Sequence, residues 1–256
     1  DLHHPNLVRL FELHRDEERW FFTMELVPGE HLDTYVRPDG HLHRERLFAT
    51  FAQVARGLAA LHDPARNATG FRDGNGYFDT PDADALYLMI RRFAPSRVIE
   101  VGCGNSTRIT RAAITDGGFD CTLIAIDPYP RADIAGLPDR FEQTGLEDAD
   151  PALFDQLGQG DVLFIDSSHL VRIGNDVAHL FCRIIPALAP GVVIHVHDVF
   201  LPYEYPNRFF YDCPSWGEQY VLHAMLQGGG YEMLWPGYLL QRDRADAVAA
   251  LPFLGQ

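Results

Sequence analysis

Val98-Ile99-Glu100-Val101-Gly102-Cys103-Gly104-Asn105-Ser106-Thr107 is the stretch from which the rest of the chain is best read. Its first residues are largely β-branched, which suits a strand buried on both faces of a parallel sheet. Two glycines follow at alternate positions, where the backbone can turn tightly and a ligand can approach without meeting a Cβ. Asn105-Ser106-Thr107 then opens a helix expected to reach about Thr115, with the hydroxyls of Ser106 and Thr107 free to cap it. By itself G-x-G says only that a nucleotide-like ligand is plausible. A dehydrogenase fingerprint has a third glycine three residues after the second, and Thr107 stands there instead.

Outward from this loop the pattern alternates between strand and helix. Ahead of it, Thr80-Pro81-Asp82-Ala83-Asp84 reads as a helix start, with Thr80 as cap, Pro81 in the first turn and acids at the positive end of the dipole. Leu86, Met89, Ile90 and Phe93 share one face, and Pro95 ends the helix. Behind the loop come strands Thr122–Ile126, about Arg140–Gln143, Asp161–Asp166 and Val192–Asp198. Helices are expected at about Pro151–Leu157, Asn175–Ile185 and Gly217–Gln227, and a final strand pair at Tyr231–Leu234 and Tyr238–Gln241. Repeated β-α units imply an α/β domain with a mostly parallel, seven-stranded sheet and ligands at the carboxyl ends of the strands. Gly102, Asp127, Asp166, His197 and Asp198 all fall at such ends. Asp127 suits hydrogen bonds to ribose hydroxyls.

The first residues differ. Asn6–Leu13 and Trp20–Val27 look like two strands joined by the charged turn His14–Arg19, and a helix is expected over Arg44–Leu61. The polar stretch around Asp63–Gly76 reads as a linker. Two domains are therefore expected, residues 1–65 and 76–256.

Composition narrows the function classes. The chain has 256 residues, 46% of them hydrophobic, so a packed core is expected. Its net charge of −15 argues against phosphate-driven nucleic-acid binding. Every basic side chain other than His is Arg, so no Lys serves as a base or phosphate clamp. The cysteines, Cys103, Cys121, Cys182 and Cys213, are too scattered for a zinc motif or a disulfide framework. No apolar run is long enough for a membrane span and no signal peptide is visible, so a cytoplasmic location is expected. The chain begins at Asp1 rather than Met, which suggests a piece of something longer.

Two family resemblances sharpen these expectations. His4-Pro5-Asn6-Leu7-Val8, Met24-Glu25-Leu26-Val27-Pro28-Gly29 and Gln53–His62 resemble strand four, strand five with the hinge, and a long helix of Ser/Thr protein kinases. The first segment thus looks like a small α+β kinase-like fragment. Phe71-Arg72-Asp73 is similar to the start of a kinase catalytic loop but does not continue as one, so no kinase activity is expected.

Val98–Thr107 resembles motif I of class I S-adenosylmethionine-dependent methyltransferases. Phe164-Ile-Asp-Ser-Ser-His169, His195–Pro206 and Trp216–Tyr220 are similar to the bacterial methyltransferase 24-like group. The resemblance covers about Gly76–Gln241 and implies a Rossmann-like fold with S-adenosylmethionine as cofactor. Gly102, Gly104, Asn105, Ser106, Thr107 and Asp127 are the implied cofactor residues, with Glu100 supporting the methionine end. The acceptor is an unidentified small molecule, and neither nucleic acid nor membrane is expected as a partner.

Methyl transfer needs an aligned acceptor and, for a hydroxyl, removal of a proton. The spacing of Asp166 and His169 resembles that of metal-dependent catechol-type O-methyltransferases. That resemblance implies His169 as general base and Asp166, Asp198 and His197 as ligands of a divalent metal ion or of the substrate. His195 and His197 alternate with Val196, so they face one side, where one of them can equally be a hydrogen-bonded core histidine. Tyr203, Tyr205 and Trp216 form an aromatic loop that reads either as a lid over the acceptor or as packing. The rival functions are a binding module without chemistry, which a kinase-derived docking segment would serve, and a nicotinamide-dependent oxidoreductase, which Thr107 disfavours.

Overall fold

The structure is a computed structural model and describes residues 14–16, 19–21, 62–63, 67–213 and 215–243. In the first segment, β1 (His14–Asp16) pairs antiparallel with β2 (Arg19–Phe21), with Asp16 opposite Arg19. A hairpin is present where one was expected, but residues 14–16 are strand rather than turn. The expected strand residues 6–13 and 22–27, the helix at 44–61, and the quoted kinase-like motifs apart from His62 and Phe71-Arg72-Asp73 lie outside the described residues.

Five parallel strands make the main sheet: β3 (Arg97–Val101), β4 (Thr122–Ile126), β5 (Arg140–Glu142), β6 (Val162–Ile165) and β7 (Val193–Val196). Their order is β5-β4-β3-β6-β7. The chain builds outward from β3 to β5, then returns to the other side of β3 for β6 and β7. The order therefore reverses between β3 and β6, and the crevice at their carboxyl ends is where open sheets of this kind take ligands. This is a Rossmann-like arrangement, with five strands among the described residues rather than seven. The expected last strand pair does not form: Tyr231–Leu234 is irregular, and Gly237–Asp243 is a helix, α7. Leu239 and Leu240 are adjacent, and an apolar run this short does not distinguish strand from helix.

The strands are apolar on both faces because both faces are covered. Val98, Leu123, Val162 and Phe164 pack with α1 (Asp82–Phe93) and α2 (Asn105–Gly117) through Leu86, Tyr87, Ile90, Ile109 and Ala113. Ile99, Val101, Ile124, Ile126, Leu163 and Ile165 face the other way. There they meet Leu153 and Phe154 of a 3-10 turn, and Val177, Leu180 and Phe181 of the later helical stretch. That stretch is α3 (Asp176–His179), a π turn (Leu180–Ile184) and α4 (Ile185–Ala187). Burial of each such side chain contributes about 1.5–3 kcal/mol, which makes this double layer the main source of stability. Asn207–Asp212 (α5) and Glu218–Gln227 (α6) complete the elements that bear on the site.

At α1 the expected cap is absent. Pro81 occupies the N-cap position, and the Thr80 hydroxyl instead donates to Asp84 at 3.0 Å. The stretch read as linker also contributes to the core: Phe71 is buried in it, as is Phe78 just after that stretch. Asn75 organises this approach. It takes the backbone N–H groups of Tyr77 and Phe78 and donates to the carbonyls of Arg72 and Phe78.

Candidate active site

The loop after β3 is shaped by its glycines. Gly102 has a φ of 85°, and a Cβ there would lie 1.9 Å from the Asp166 carbonyl oxygen. No side chain fits, so the ends of β3 and β6 meet backbone to backbone. Gly104 has a φ of 156°, and a Cβ there would make only ordinary contacts with Ala132 at 3.7 Å and beyond, so conformation rather than space favours glycine there. The Gly104 N–H donates to the Thr107 hydroxyl at 3.0 Å, which closes the turn into α2.

Asp127 ties this loop to the next. Its carboxylate accepts the Cys103 N–H at 2.8 Å and the Tyr129 N–H at 2.7 Å, one on each oxygen. A carboxylate has about four acceptor positions, so two remain for a diol. Gly102, Asn105 and Asp127 are partly open, whereas Glu100, Ser106 and Thr107 are buried behind them. Asn105 donates to Asn75 at 2.9 Å, drawing the segment before α1 against the loop. Beyond Asp127 lies a shallow cavity of about 290 Å³ lined by Pro130, Ala132, Ile134, Phe141 and Gln143. Its lining is mixed, with apolar Ile134 and Phe141 beside polar Gln143.

Glu100 does not reach this surface. It is fully buried against α2, where Oε1 accepts the Thr110 hydroxyl at 3.0 Å and Oε2 has no hydrogen-bond partner. Burial pushes its carboxyl up to about 7, against the pull of hydrogen bonds from Thr107 and Thr110. Its support of a ligand is therefore indirect, through the seating of α2 beneath the loop.

Across the crevice, β6 and β7 deliver Asp166, His169, His197 and Asp198 to one place. His169 Nε2 is 3.3 Å from Asp166 and 3.8 Å from Asp198. His197 Nδ1 is 3.4 Å from Asp166 and 3.6 Å from Asp198. His169 and Asp198 adopt left-handed backbone angles, φ 59° and 55°, which are uncommon for residues other than glycine and collect at functional sites. Burial raises Asp166, but its bonds to His169 and His197 outweigh this and hold it well below the usual carboxylate range. Burial lowers His169, but Asp166 and Glu218 prevail and raise it to about 9. Burial likewise opposes protonation of His197, yet Asp166 and Asp82 carry it well above the ordinary histidine value. Asp198 is raised, chiefly by burial.

These four residues come together as expected. His169 through Nε2 and His197 through Nδ1 each turn one ring nitrogen to both aspartates. The other His169 nitrogen, Nδ1, is 2.8 Å from Glu218, and the second Glu218 oxygen takes the Ser167 hydroxyl at 2.9 Å. Both ring nitrogens of His169 thus face carboxylates, Nδ1 toward Glu218 and Nε2 toward Asp166. The expected histidine alternation holds: His195 packs on Phe164 at 4.8 Å as a core histidine, while His197 lies on Phe78 at 4.7 Å and reaches the site. His195 is pushed down to about 4 by burial.

Glu218 and Asp82 are site residues that motif reading passed over. Asp82 lies 3.5 Å from His197 Nε2. Glu218 sits within the Trp216–Tyr220 match, and a buried acid at a helix start in that match was the available signal. Asp82 had none beyond its place in the first turn of α1. Of the aromatic loop, Tyr205 is buried among Phe200, Phe209, Trp216 and Tyr220, which is packing. Trp216 covers the His169 ring at 4.1 Å. Tyr203 packs on Tyr238 and bonds Asp243 of α7.

Among the described residues no helix is long and apolar enough to cross a membrane. Comparison with known proteins gives two kinds of similarity. The chain is 27% identical over 131 residues to calcium/calmodulin-dependent protein kinase type 1 of Macrobrachium nipponense, which is 51% of this chain and 36% of that protein. It is 33% identical over 69 residues to the serine/threonine-protein kinase Nek10 of Mus musculus, 25% of this chain and 6% of that one. CBL-interacting protein kinase 31 of Oryza sativa subsp. japonica matches at 24% over 123 residues, 46% of this chain and 27% of that one. The chain thus spans about a third or less of these curated relatives, and such partial matches do not establish a kinase-like segment. Residues 99–199, which run from β3 past Asp198, match the family model of a methyltransferase domain. The match and the parallel sheet agree: residues 99–199 are similar to a methyltransferase domain, and the sheet that holds them is of Rossmann-like arrangement.

Proposed function

We propose that this domain transfers a methyl group from S-adenosylmethionine to a hydroxyl of a small-molecule acceptor. The observation that carries the reading is the backbone contact of Gly102 with Asp166, which sets a nucleoside-type loop directly beside an acid-histidine cluster. Bound S-adenosylmethionine would supply an electrophilic methyl on a sulfonium. The chain's own residues do the positioning. Gly102 and Gly104 keep the loop open to a ligand, and Asp127 accepts ribose hydroxyls through its remaining lone pairs. The cavity beyond it takes the base. Asp166, His169, His197 and Asp198 face the acceptor and govern its charge and alignment, which is where most of the rate of an in-line displacement comes from. Residues 1–65 we read as a kinase-derived appendage without phosphoryl-transfer activity. At 71–73, where a catalytic loop would begin, Phe71 is core and Asp73 accepts the Thr80 N–H at 3.0 Å on the approach to α1.

The test is transfer of labelled methyl from S-adenosylmethionine into the small-molecule fraction of a cell extract, read with release of S-adenosylhomocysteine. Enzyme-dependent labelling of a small molecule is expected. A chain that binds S-adenosylhomocysteine yet labels nothing would be a binding module instead.

A further inference from the structure

Three donor atoms converge beside the Gly102 turn. One carboxylate oxygen each from Asp166 and Asp198, and a ring nitrogen of His169, all lie within 4.8 Å of one another. The two measured nitrogen–oxygen separations are 3.3 and 3.8 Å. Ligands about 2.0–2.2 Å from a common ion stand roughly 3–3.5 Å apart, close to these two nitrogen–oxygen separations. We propose that Asp166, His169 and Asp198 hold one divalent cation, with His169 as a ligand through Nε2.

The nitrogen donor distinguishes this from a patch of surface acids. The His169 side chain is more than nine-tenths buried, and it is fixed from behind. Glu218, itself buried, holds Nδ1 at 2.8 Å and is held in turn by Ser167. The His169 carbonyl accepts the N–H groups of Gly217 and Glu218, and Trp216 covers the ring. This leaves Nε2 one direction, toward the two aspartates. A carboxylate on the far nitrogen of a ligating imidazole fixes its tautomer and raises its basicity, as in many metal sites. Glu218 is thus a positioning residue. His197 contributes differently. Its Nδ1 lies 3.4 and 3.6 Å from the same aspartates, while its Nε2 turns back to Asp82 and its ring lies on Phe78, so it holds the two carboxylates from the protein side.

One imidazole with two carboxylates suits manganese, iron(II), zinc or magnesium better than a soft ion. Three protein ligands leave positions open to an acceptor oxygen. A cation lowers the pKa of a bound hydroxyl or water by several units. On the methyl-transfer reading, the ion would thereby activate the acceptor hydroxyl.

The experiment is titration of the full chain, stripped with chelator, with Mn2+ alone, followed by electron paramagnetic resonance and its nitrogen spin-echo modulation. One Mn2+ per chain with a coupled nitrogen is expected. Glu218→Gln should weaken uptake about 10–100-fold, and Asp166→Asn at least as much, in samples whose melting curves remain cooperative. His169→Asp should remove the nitrogen coupling, with or without uptake. Absence of stoichiometric uptake by the wild-type chain, uptake without a coupled nitrogen, or coupling that survives in His169→Asp would each overturn the proposal. No cofactor is present, so failure here leaves the methyl-transfer reading standing. Conversely, Mn2+ uptake by a chain that does not bind S-adenosylhomocysteine would count against that reading alone.

Discussion

The two sides of the crevice are built by different means. The loop after β3 is made of backbone: two glycines, a carboxylate that collects N–H groups from two turns, and a hydroxyl that closes the helix start. Its parts lie close together in sequence, apart from Asp127 one strand on. The cluster after β6 and β7 is made of side chains from four separate segments, two of them on left-handed backbone. A binding surface for a nucleoside needs shape, which short-range sequence can specify. A reacting surface needs charges held at fixed separations, and only the assembled sheet provides those.

The contrast breaks most visibly where the two sides touch. Gly102→Ala would place a methyl inside the Asp166 carbonyl and strain a positive φ, so a loss of about 4 kcal/mol or outright misfolding is expected in a thermal melt. A variant with an unchanged melting temperature would show that the two strand ends do not abut.

Glu100 tests whether the loop rests on a buried acid. Its carboxyl is raised from 4.5 to about 7, so the protonated form is the one the fold favours. Its stabilising share is then complete below about pH 4.5 and is lost as pH climbs through 7, amounting to about 3 kcal/mol. Denaturant melts at pH 5 and pH 8 should show Glu100→Gln removing most of this fall. An identical pH slope in wild type and variant would place the dependence elsewhere.

Substitutions on either side should separate binding from chemistry. Asp166→Asn is expected to lower kcat/KM about 100-fold, while affinity for S-adenosylhomocysteine stays within about 3-fold. Asp127→Asn should do the reverse, weakening S-adenosylhomocysteine about 10-fold with a smaller effect on kcat. If both variants lost cofactor affinity equally, the division between the two sides would fail.

Legibility in sequence followed the same division. β3, β4, β6 and α2 were readable because parallel strands covered on both faces are short, apolar and bounded by turns. Gly102, Gly104 and Asp127 were readable from a motif. The partner of His169 was not, because Glu218 is 49 residues away in sequence and reaches it only once α6 is in place. The missed helix at Gly237–Asp243 and the absent Thr80 cap are cases where a side-chain partner settled what local preference left open: Tyr203 from across the fold for Tyr238, and Asp84 one turn on for the Thr80 hydroxyl. The expected linker contributed Phe71 to the core, with Phe78 just beyond it, because its polar residues, Asn75 above all, are spent on holding the local backbone.

Calorimetric titration of the full chain with S-adenosylhomocysteine and, separately, with NAD bears on the domain's chemistry without needing the acceptor. Saturable binding of about one S-adenosylhomocysteine per chain, reduced in Asp127→Asn and preserved in Asp166→Asn, is the expected result. Tight binding of NAD with none of S-adenosylhomocysteine would contradict it.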